Sequence, residues 1–345
     1  MSPSLSPPPD FLKILITGAG GLLGRYLMCH LGRRHKVVGL DRNLADFDHP
    51  GRWICLDLMD DARLEKVMAK ESPDIVIHTV AKVDVDACEK SPREAFRINR
   101  DLTRELVRLM PPRSKIVFLS TDQVFDGRKP FARETDITHP INVYGKSKLA
   151  GEEVIRNSGK PYLIIRTNFF GWSAGRKKTF GEWLVQGLRQ KKPIRLFKDF
   201  YFTPLYAGEV AESVGRLLKK RAEGTLHLVG RTRVSKYEFG QILAKTGRMH
   251  FSPTIGGKLR EDTALAPRPK DLSLNFSKAE AFLGQRMPLL VQSLTAFFRD
   301  EHRWERKKPL SGKRLLAIPY ARQTISSIDV RYLHKVLKSE FLTQG

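Results

Sequence analysis

The fold is decided by residues 11–33, FLKILITGAGGLLGRYLMCHLGR. Phe11 to Thr17 is a short apolar run, the pattern of a buried strand. Thr17-Gly18-Ala19-Gly20-Gly21-Leu22-Leu23-Gly24 follows at once, and Arg25 to Arg33 then has helical spacing. Strand, glycine turn and helix form the setting that a dinucleotide fingerprint requires. Gly18 permits the tight turn, Gly21 lets the backbone approach a pyrophosphate, and Gly24 lets helix and strand pack closely. The helix start at Leu22 and Leu23 offers free N–H groups to phosphate oxygens.

The pattern then repeats. Lys36 to Leu40 reads as a second strand, ending at Asp41-Arg42. An acidic residue there can hold the adenosine ribose hydroxyls and repels a 2′-phosphate, which favours NAD. Arg42 can instead stack on adenine or accept that phosphate, so NADP stays open. Trp53 to Leu56 is a third strand, leading to Asp57-Leu58. Asp60 or Asp61 offers an N-cap for a helix to about Lys70. Asp74 to Val80 is a fourth strand, with His78 as a packing residue inside it. Ala81-Lys82-Val83-Asp84 follows at its C-terminal edge, where ligands bind in such sheets. One helix is expected from Pro92 to Met110, then a fifth strand at Lys115 to Leu119 and a sixth at Tyr162 to Arg166. This alternation predicts an α/β fold with a doubly wound parallel sheet of the Rossmann kind.

The fifth strand delivers Ser120-Thr121-Asp122 to the same edge, and Tyr144-Gly145-Lys146-Ser147-Lys148 opens the next helix. Tyr and Lys four apart share a helix face. A lysine ammonium beside a phenol is expected to lower the Tyr144 pKa from about 10. With a hydroxyl from Thr121 or Ser120, the set is a proton-transfer device aimed at a carbonyl or alcohol.

Composition bounds the alternatives. The chain has 345 residues, 41% of them apolar, enough for one large or two moderate domains. No apolar run approaches membrane-spanning length. Met1 to Asp10 is Ser/Pro-rich and reads as a disordered lead-in. Cys29, Cys55 and Cys88 lack metal-ligand spacing and suit a reducing cytoplasm. The formal charge of +24 admits anionic substrates, an acidic membrane surface or nucleic acid. No zinc-finger or RRM-type signature accompanies it, so nucleic acid is not expected as the partner.

Assembled, these residues resemble the extended short-chain dehydrogenase/reductases, and within them the dTDP-4-dehydrorhamnose reductase type of nucleotide-sugar enzyme. The resemblance spans about residues 11 to 299. It rests on TGAGGLLG at 17–24, LSTDQVFDG at 119–127, YGKSKLAGE at 144–152, IIRTNFFGW at 164–172, KYEFG at 236–240 and RPKDLSLN at 268–275. It implies Tyr144 as general acid, Lys148 as its partner on the nicotinamide ribose, and Thr121 as hydroxyl helper. It also implies Gly18, Gly21 and Gly24 at the pyrophosphate, Asp57 and Leu58 at the adenine, and Ala81 at the cofactor. Val83, Asp122, Asn168 and Trp172 are expected near a nucleotide-diphosphate sugar, with Arg268 and Lys270 either on its diphosphate or as surface charges. The implied reaction is hydride transfer to a C4 ketone, in a cytoplasmic enzyme for which a homodimer is admitted.

Two departures matter. Related 4,6-dehydratases carry Asp-Glu after the Thr, whereas this chain has Asp122-Gln123, and Gln cannot act as general base for water elimination. The rhamnose-type reductases show an aromatic pair after RTS; here Asn168-Phe169-Phe170-Gly171-Trp172 leaves the sugar open.

The expected organisation is a Rossmann domain over 11–170, completed by about 203–230, and a smaller, mostly helical substrate domain from 171–202 and 231–299. His227 reads as structural. A basic tail covers 300–345. Its stretch from Ile318 to Gly345 resembles the opening segment of the pyridoxal-phosphate sugar aminotransferases, without any cofactor lysine, and reads as a possible fusion remnant with no aminotransferase activity implied. Two other functions stay open: a nucleotide-sugar epimerase that retains NAD, and a non-catalytic binding subunit like the regulatory subunit of methionine adenosyltransferase, which resembles these reductases.

Overall fold

Strand β1 (Lys13–Thr17) runs through the middle of a seven-stranded, all-parallel sheet in the computed structural model, which describes residues 11–173, 178–251, 254–259 and 266–304. Its neighbours are β2 (Lys36–Asp41) and β4 (Ile75–His78). Beyond β2 lies β3 (Arg52–Cys55). Beyond β4 lie β5 (Lys115–Thr121), β6 (Tyr162–Thr167) and β11 (Gly224–His227). The strand order therefore reverses between β1 and β4, and the crevice outside their carboxyl ends is where such sheets bind ligands.

Alternation along each strand sends side chains to opposite faces. Ile14, Ile16, Val37, Ile77, Val117 and Ile165 pack with α1 (Leu22–Leu31) and α8 (Ala207–Lys219) on one side. Leu15, Val38, Val76, Ile116 and Ile164 pack with α2 (Asp61–Glu71) and α5 (Leu102–Leu109) on the other. Burial on both faces explains why these strands read as continuous apolar runs. Asp60 caps α2, its carboxylate accepting from the Arg63 amide.

The helix expected from Pro92 to Met110 is interrupted. After α3 (Val85–Lys90), α4 (Pro92–Phe96) passes through a π-helical turn at Arg97–Asp101 before α5. The turn holds Asn99 inward with no exposure. Helix α6 (Val143–Arg156) carries the Tyr–Lys pair and packs on β5.

The remaining elements form a smaller layered part: β7 (Phe169–Phe170), α7 (Phe180–Arg189), β8 (Ile194–Phe197), β9 (Tyr201–Phe202), β10 (Leu205–Tyr206), β12 (Val234–Ser235), α9 (Lys236–Thr246), β13 (Thr254–Gly257), β14 (Asp271–Leu272), α10 (Ser277–Leu283), α11 (Leu290–Arg299) and α12 (Glu301–Trp304). The stretch after Phe251 is less helical than its sequence suggests. β13 pairs with β8 and β14 with β9, and among the described residues after Phe251 the first α-helix begins at Ser277. Strands of two to four residues are held by backbone pairing and leave no periodic pattern to read. Packing also continues past residue 299: Trp304 is buried, its ring centre 4.5 Å from that of Tyr26. The lead-in 1–10 and the tail from residue 305, with its aminotransferase resemblance, lie outside the described residues. Among the described residues no helix is long and apolar enough to cross a membrane.

Candidate active site

The glycine turn sits at the β1 carboxyl edge. Gly18 has φ +69°, in the left-handed region where a side chain is strained. A Cβ on Gly24 would lie 2.2 Å from the Gly18 carbonyl oxygen, so α1 can approach β1 only with glycine there. Gly21 is the N-cap of α1 without a side-chain cap, leaving the first-turn amides, including those of Leu22 and Leu23, for an anion. Asp41, at the end of β2, accepts from the Gly20 amide at 3.0 Å and from the Asn43 amide at 3.1 Å. Arg42 beside it is exposed. Asp57 is exposed and accepts from the Met59 amide, whereas Leu58 is buried.

Arg25 braces this turn, a role its place in an amphipathic helix did not signal. It is 4% exposed, donates from Nε to the Gly20 carbonyl at 2.9 Å and pairs with Asp46. Thr79 supports the turn from β4, its hydroxyl donating to the Thr17 carbonyl at 2.7 Å.

The second component is built by β5 and α6. Asn142 caps α6, accepting from the Gly145 amide at 2.8 Å and donating to Gln123 and to the Pro267 carbonyl. This clamps the Tyr144 turn against the residues that follow Thr121. Tyr144 bonds to Thr121, whose hydroxyl donates to Asp122 Oδ1 at 3.0 Å. The other Asp122 oxygen accepts from Asn168 Nδ2 at 2.6 Å. Thr121, Asp122, Tyr144 and Asn168 thus share one hydrogen-bond network.

The expected lowering of the Tyr144 pKa is corrected by this geometry. Burial holds the phenol well above its ordinary range; the Thr121 bond opposes this, and the Asp122 and Cys88 charges add to it. Lys148 does not offset the effect, because burial pulls its own ammonium down to about 7, with Glu152 opposing. Its Nζ lies 3.9 Å from the centre of the Phe118 ring. Burial and then the Lys148 charge push His78 down to about 3, so it is neutral, in contact with Thr17 at 2.7 Å. Burial and the Arg166 charge likewise leave His227 neutral.

Two further residues went unread. Asn99 donates to Ser147 Oγ at 2.8 Å and accepts from the Lys82 amide at 2.8 Å, tying the 81–84 loop to α6. Its only sequence signal is a polar residue in line with buried Ala95, Leu102 and Leu106. Glu152 is fully buried, receives two bonds from Arg166 at 3.0 and 2.8 Å, and accepts from Ser120.

The remaining expected residues are placed as follows. Val83 is 60% exposed, while Ala81 is half-buried. Trp172 stacks on Phe297 with ring centres 4.1 Å apart and donates its indole N–H to the Phe297 carbonyl at 2.7 Å. Arg268 is ion-paired with Asp86 at 2.6 Å, so its charge is already compensated. Lys270 is exposed. No cluster of metal-binding side chains occurs among the described residues.

A doubly wound sheet, a glycine turn at its switch point and a Tyr–Lys helix define a nicotinamide-dependent oxidoreductase of the extended short-chain type. The chain belongs to the family described as the RmlD substrate binding domain, whose model matches residues 12–302. It is 32% identical to the probable low-salt glycan biosynthesis reductase of Haloferax volcanii, over 81% of this chain and 95% of that protein. It is 27% identical to the methionine adenosyltransferase 2 subunit beta of Bos taurus, over 85% of this chain and 90% of that one. The dTDP-4-dehydrorhamnose reductase of Bacillus anthracis, solved in complex with NADP, superposes with a TM-score of 0.74 at 26% identity, covering 84% of this chain and 99% of that one.

Proposed function

We propose that this enzyme reduces the ketone of a nucleotide-linked 4-keto-6-deoxysugar with NAD(P)H, in the biosynthesis of surface-polysaccharide sugars. The observation that carries the reading is the buried network of Tyr144, Thr121 and Asp122 at the β5 edge, on the same sheet edge as the glycine turn. A bound nicotinamide supplies the hydride. Tyr144 gives its proton to the oxygen of the ketone as the hydride reaches the carbon, which leaves a secondary alcohol. Burial, by holding Tyr144 protonated, keeps that proton available. Thr121 holds the phenol in place, and Lys148 favours the phenolate only below about pH 7, where its buried ammonium keeps its proton. Gln123, in place of an acid, offers no general base for water elimination.

Gly18, Gly21, Gly24 and the Leu22 and Leu23 amides hold the pyrophosphate in this reading, with Asp57, Leu58 and Ala81 along the rest of the cofactor. Asp122 and Asn168 take the sugar. Of the two nicotinamide cofactors we infer NAD, because the Asp41 carboxylate at the end of β2 repels a 2′-phosphate; Arg42 is the group that would serve NADP. We infer a cytoplasmic location for the enzyme and a homodimer as its assembly.

The test is cofactor oxidation, followed by absorbance, with NADH or NADPH and a panel of dTDP-, UDP- and GDP-linked 4-keto-6-deoxysugars. Oxidation that depends on the sugar and is lost in Tyr144→Phe supports the reading. Cofactor binding without oxidation by any sugar overturns it and favours a binding subunit. A cofactor that stays bound through purification and interconverts sugar epimers favours an epimerase.

A further inference from the structure

In the sequence Lys236 is the first residue of KYEFG at 236–240, and in the fold the Asp122 charge acts on it. It opens α9 immediately after its cap. Ser235 accepts from the Glu238 amide while Glu238 accepts from the Ser235 amide, and Ser235 pairs with Tyr201 across β12 and β9. The Lys236 amide donates to the Phe200 carbonyl at 3.0 Å. These anchors fix the origin of the side chain. Its ammonium then lies 3.4 Å from the centre of the Phe202 ring, 4.5 Å from Phe180 and 5.1 Å from Phe200.

Ring faces attract the charge but leave the N–H donors without oxygen acceptors. No hydrogen bond or ion pair engages Lys236 Nζ among the described residues. The charge that acts on it is Asp122, and each of the two supports the other's ionised form against burial. Lys236 is half-buried, and its ammonium rests on three phenylalanine rings while the Asp122 charge acts on it.

We propose that Lys236 is a substrate-binding residue which, with Asp122, recognises a hydroxyl on the carbon next to the reacting ketone. The proposal rests on the reductase reading above and names what that site selects. An ammonium can only donate and a carboxylate only accept. A hydroxyl satisfies both, accepting from Lys236 and donating to Asp122. Its place follows from the chain. Thr121 bonds to Tyr144, the residue assigned to the reacting oxygen, and Asp122 is the next residue. Thr121 Oγ1 and Asp122 Oδ1 lie 3.0 Å apart, close to the spacing of neighbouring oxygens on a sugar ring. Asn168, on Asp122 Oδ2, holds the carboxylate in orientation while leaving further acceptor sites on its oxygens.

The experiment measures calorimetric binding of a dTDP-linked 6-deoxyhexose and its 3-deoxy counterpart to cofactor-loaded protein, wild type and Lys236→Met. The variant keeps the stem on its aromatic rings and removes the charge. Wild type is expected to bind the hydroxyl form about tenfold to a hundredfold more tightly, as for a charge-assisted hydrogen bond. In Lys236→Met that ratio should collapse toward one, while cofactor affinity stays unchanged. Equal weakening of both sugars, with the ratio kept, means a packing role and overturns the proposal. If Lys236→Met does not fold, Lys236→Gln gives the same comparison. Binding does not depend on turnover, so the two readings fail separately. A hydroxyl preference that Lys236 controls, without cofactor oxidation, sinks the reductase and spares the recognition. Turnover with a ratio unaffected by the substitution does the reverse. Failure of wild type to bind either sugar overturns the recognition.

Discussion

Glu152→Gln removes one negative charge from an enclosed ion pair of helix α6. Glu152 has no exposure and Arg166 only 2%. The carboxylate accepts from Arg166 Nε and Nη2 at 3.0 and 2.8 Å, from Ser120 Oγ and from Arg156. Glutamine keeps the volume and one acceptor but turns an NH2 donor toward guanidinium N–H groups. Arg156, a third exposed, can move to water, whereas Arg166 cannot. An unpaired buried guanidinium costs about 3–5 kcal/mol. Removing both charges, in Glu152→Gln with Arg166→Met, should cost less than the sum of the single losses by about 1–3 kcal/mol. Urea unfolding of cofactor-free protein measures all four forms. A single-variant loss below about 1 kcal/mol, as for an exposed pair, would refute the reasoning. So would strict additivity in the double variant. The same substitution removes the carboxylate that opposes the burial of Lys148. The pH above which Lys148 loses its proton should therefore fall, and with it the basic limb of turnover.

The stability of the fold should itself report on Lys148. The unfolded chain keeps this proton to about pH 10.4, whereas the folded chain keeps it only to about 7. Between those values the unfolded state binds the extra proton, so stability rises with pH across that window. Comparing urea midpoints near neutral pH and about two units higher should show that rise shrinking in Lys148→Met; an identical rise in both proteins contradicts the assignment. Tyr144→Phe should lower kcat by about 10²- to 10⁴-fold and leave cofactor affinity within a few-fold, as read by turnover and by fluorescence titration of the reduced cofactor. Gly24→Ala places a methyl 2.2 Å from the Gly18 carbonyl oxygen, and the same titration should find cofactor binding abolished or the protein destabilised. Asp41→Ala should move preference toward NADPH in paired titrations; an unchanged ratio of affinities means that Asp41 does not face the ribose.

The parallel sheet was legible because strands buried on both faces leave unbroken apolar runs, as in Ile14-Leu15-Ile16 and Ile75-Val76-Ile77. The glycine turn and the Tyr–Lys pair were legible because their spacing is local and each sits where a strand meets a helix. The π turn at Arg97–Asp101 was not, since nothing in its composition separates it from the helices on either side. The roles expected of Trp172 and Arg268 depended on partners far along the chain, Phe297 and Asp86, which only the fold brings close. Asn99, Glu152 and Lys236 went unread for the same reason, each making its contacts with residues from distant segments.

By itself, then, the sequence determined the layer architecture and the positions of the glycine turn and the Tyr–Lys pair. These follow from periodicity and from spacing over a few residues. The tertiary structure alone decided the charge states and the shape of the substrate side. The burial of these two polar side chains, which no apolar run announces, raises Tyr144 and lowers Lys148. Only the folded chain sets the Lys236 ammonium on its phenylalanines within reach of the Asp122 charge, because desolvation and long-range contacts exist only once the chain has closed on itself.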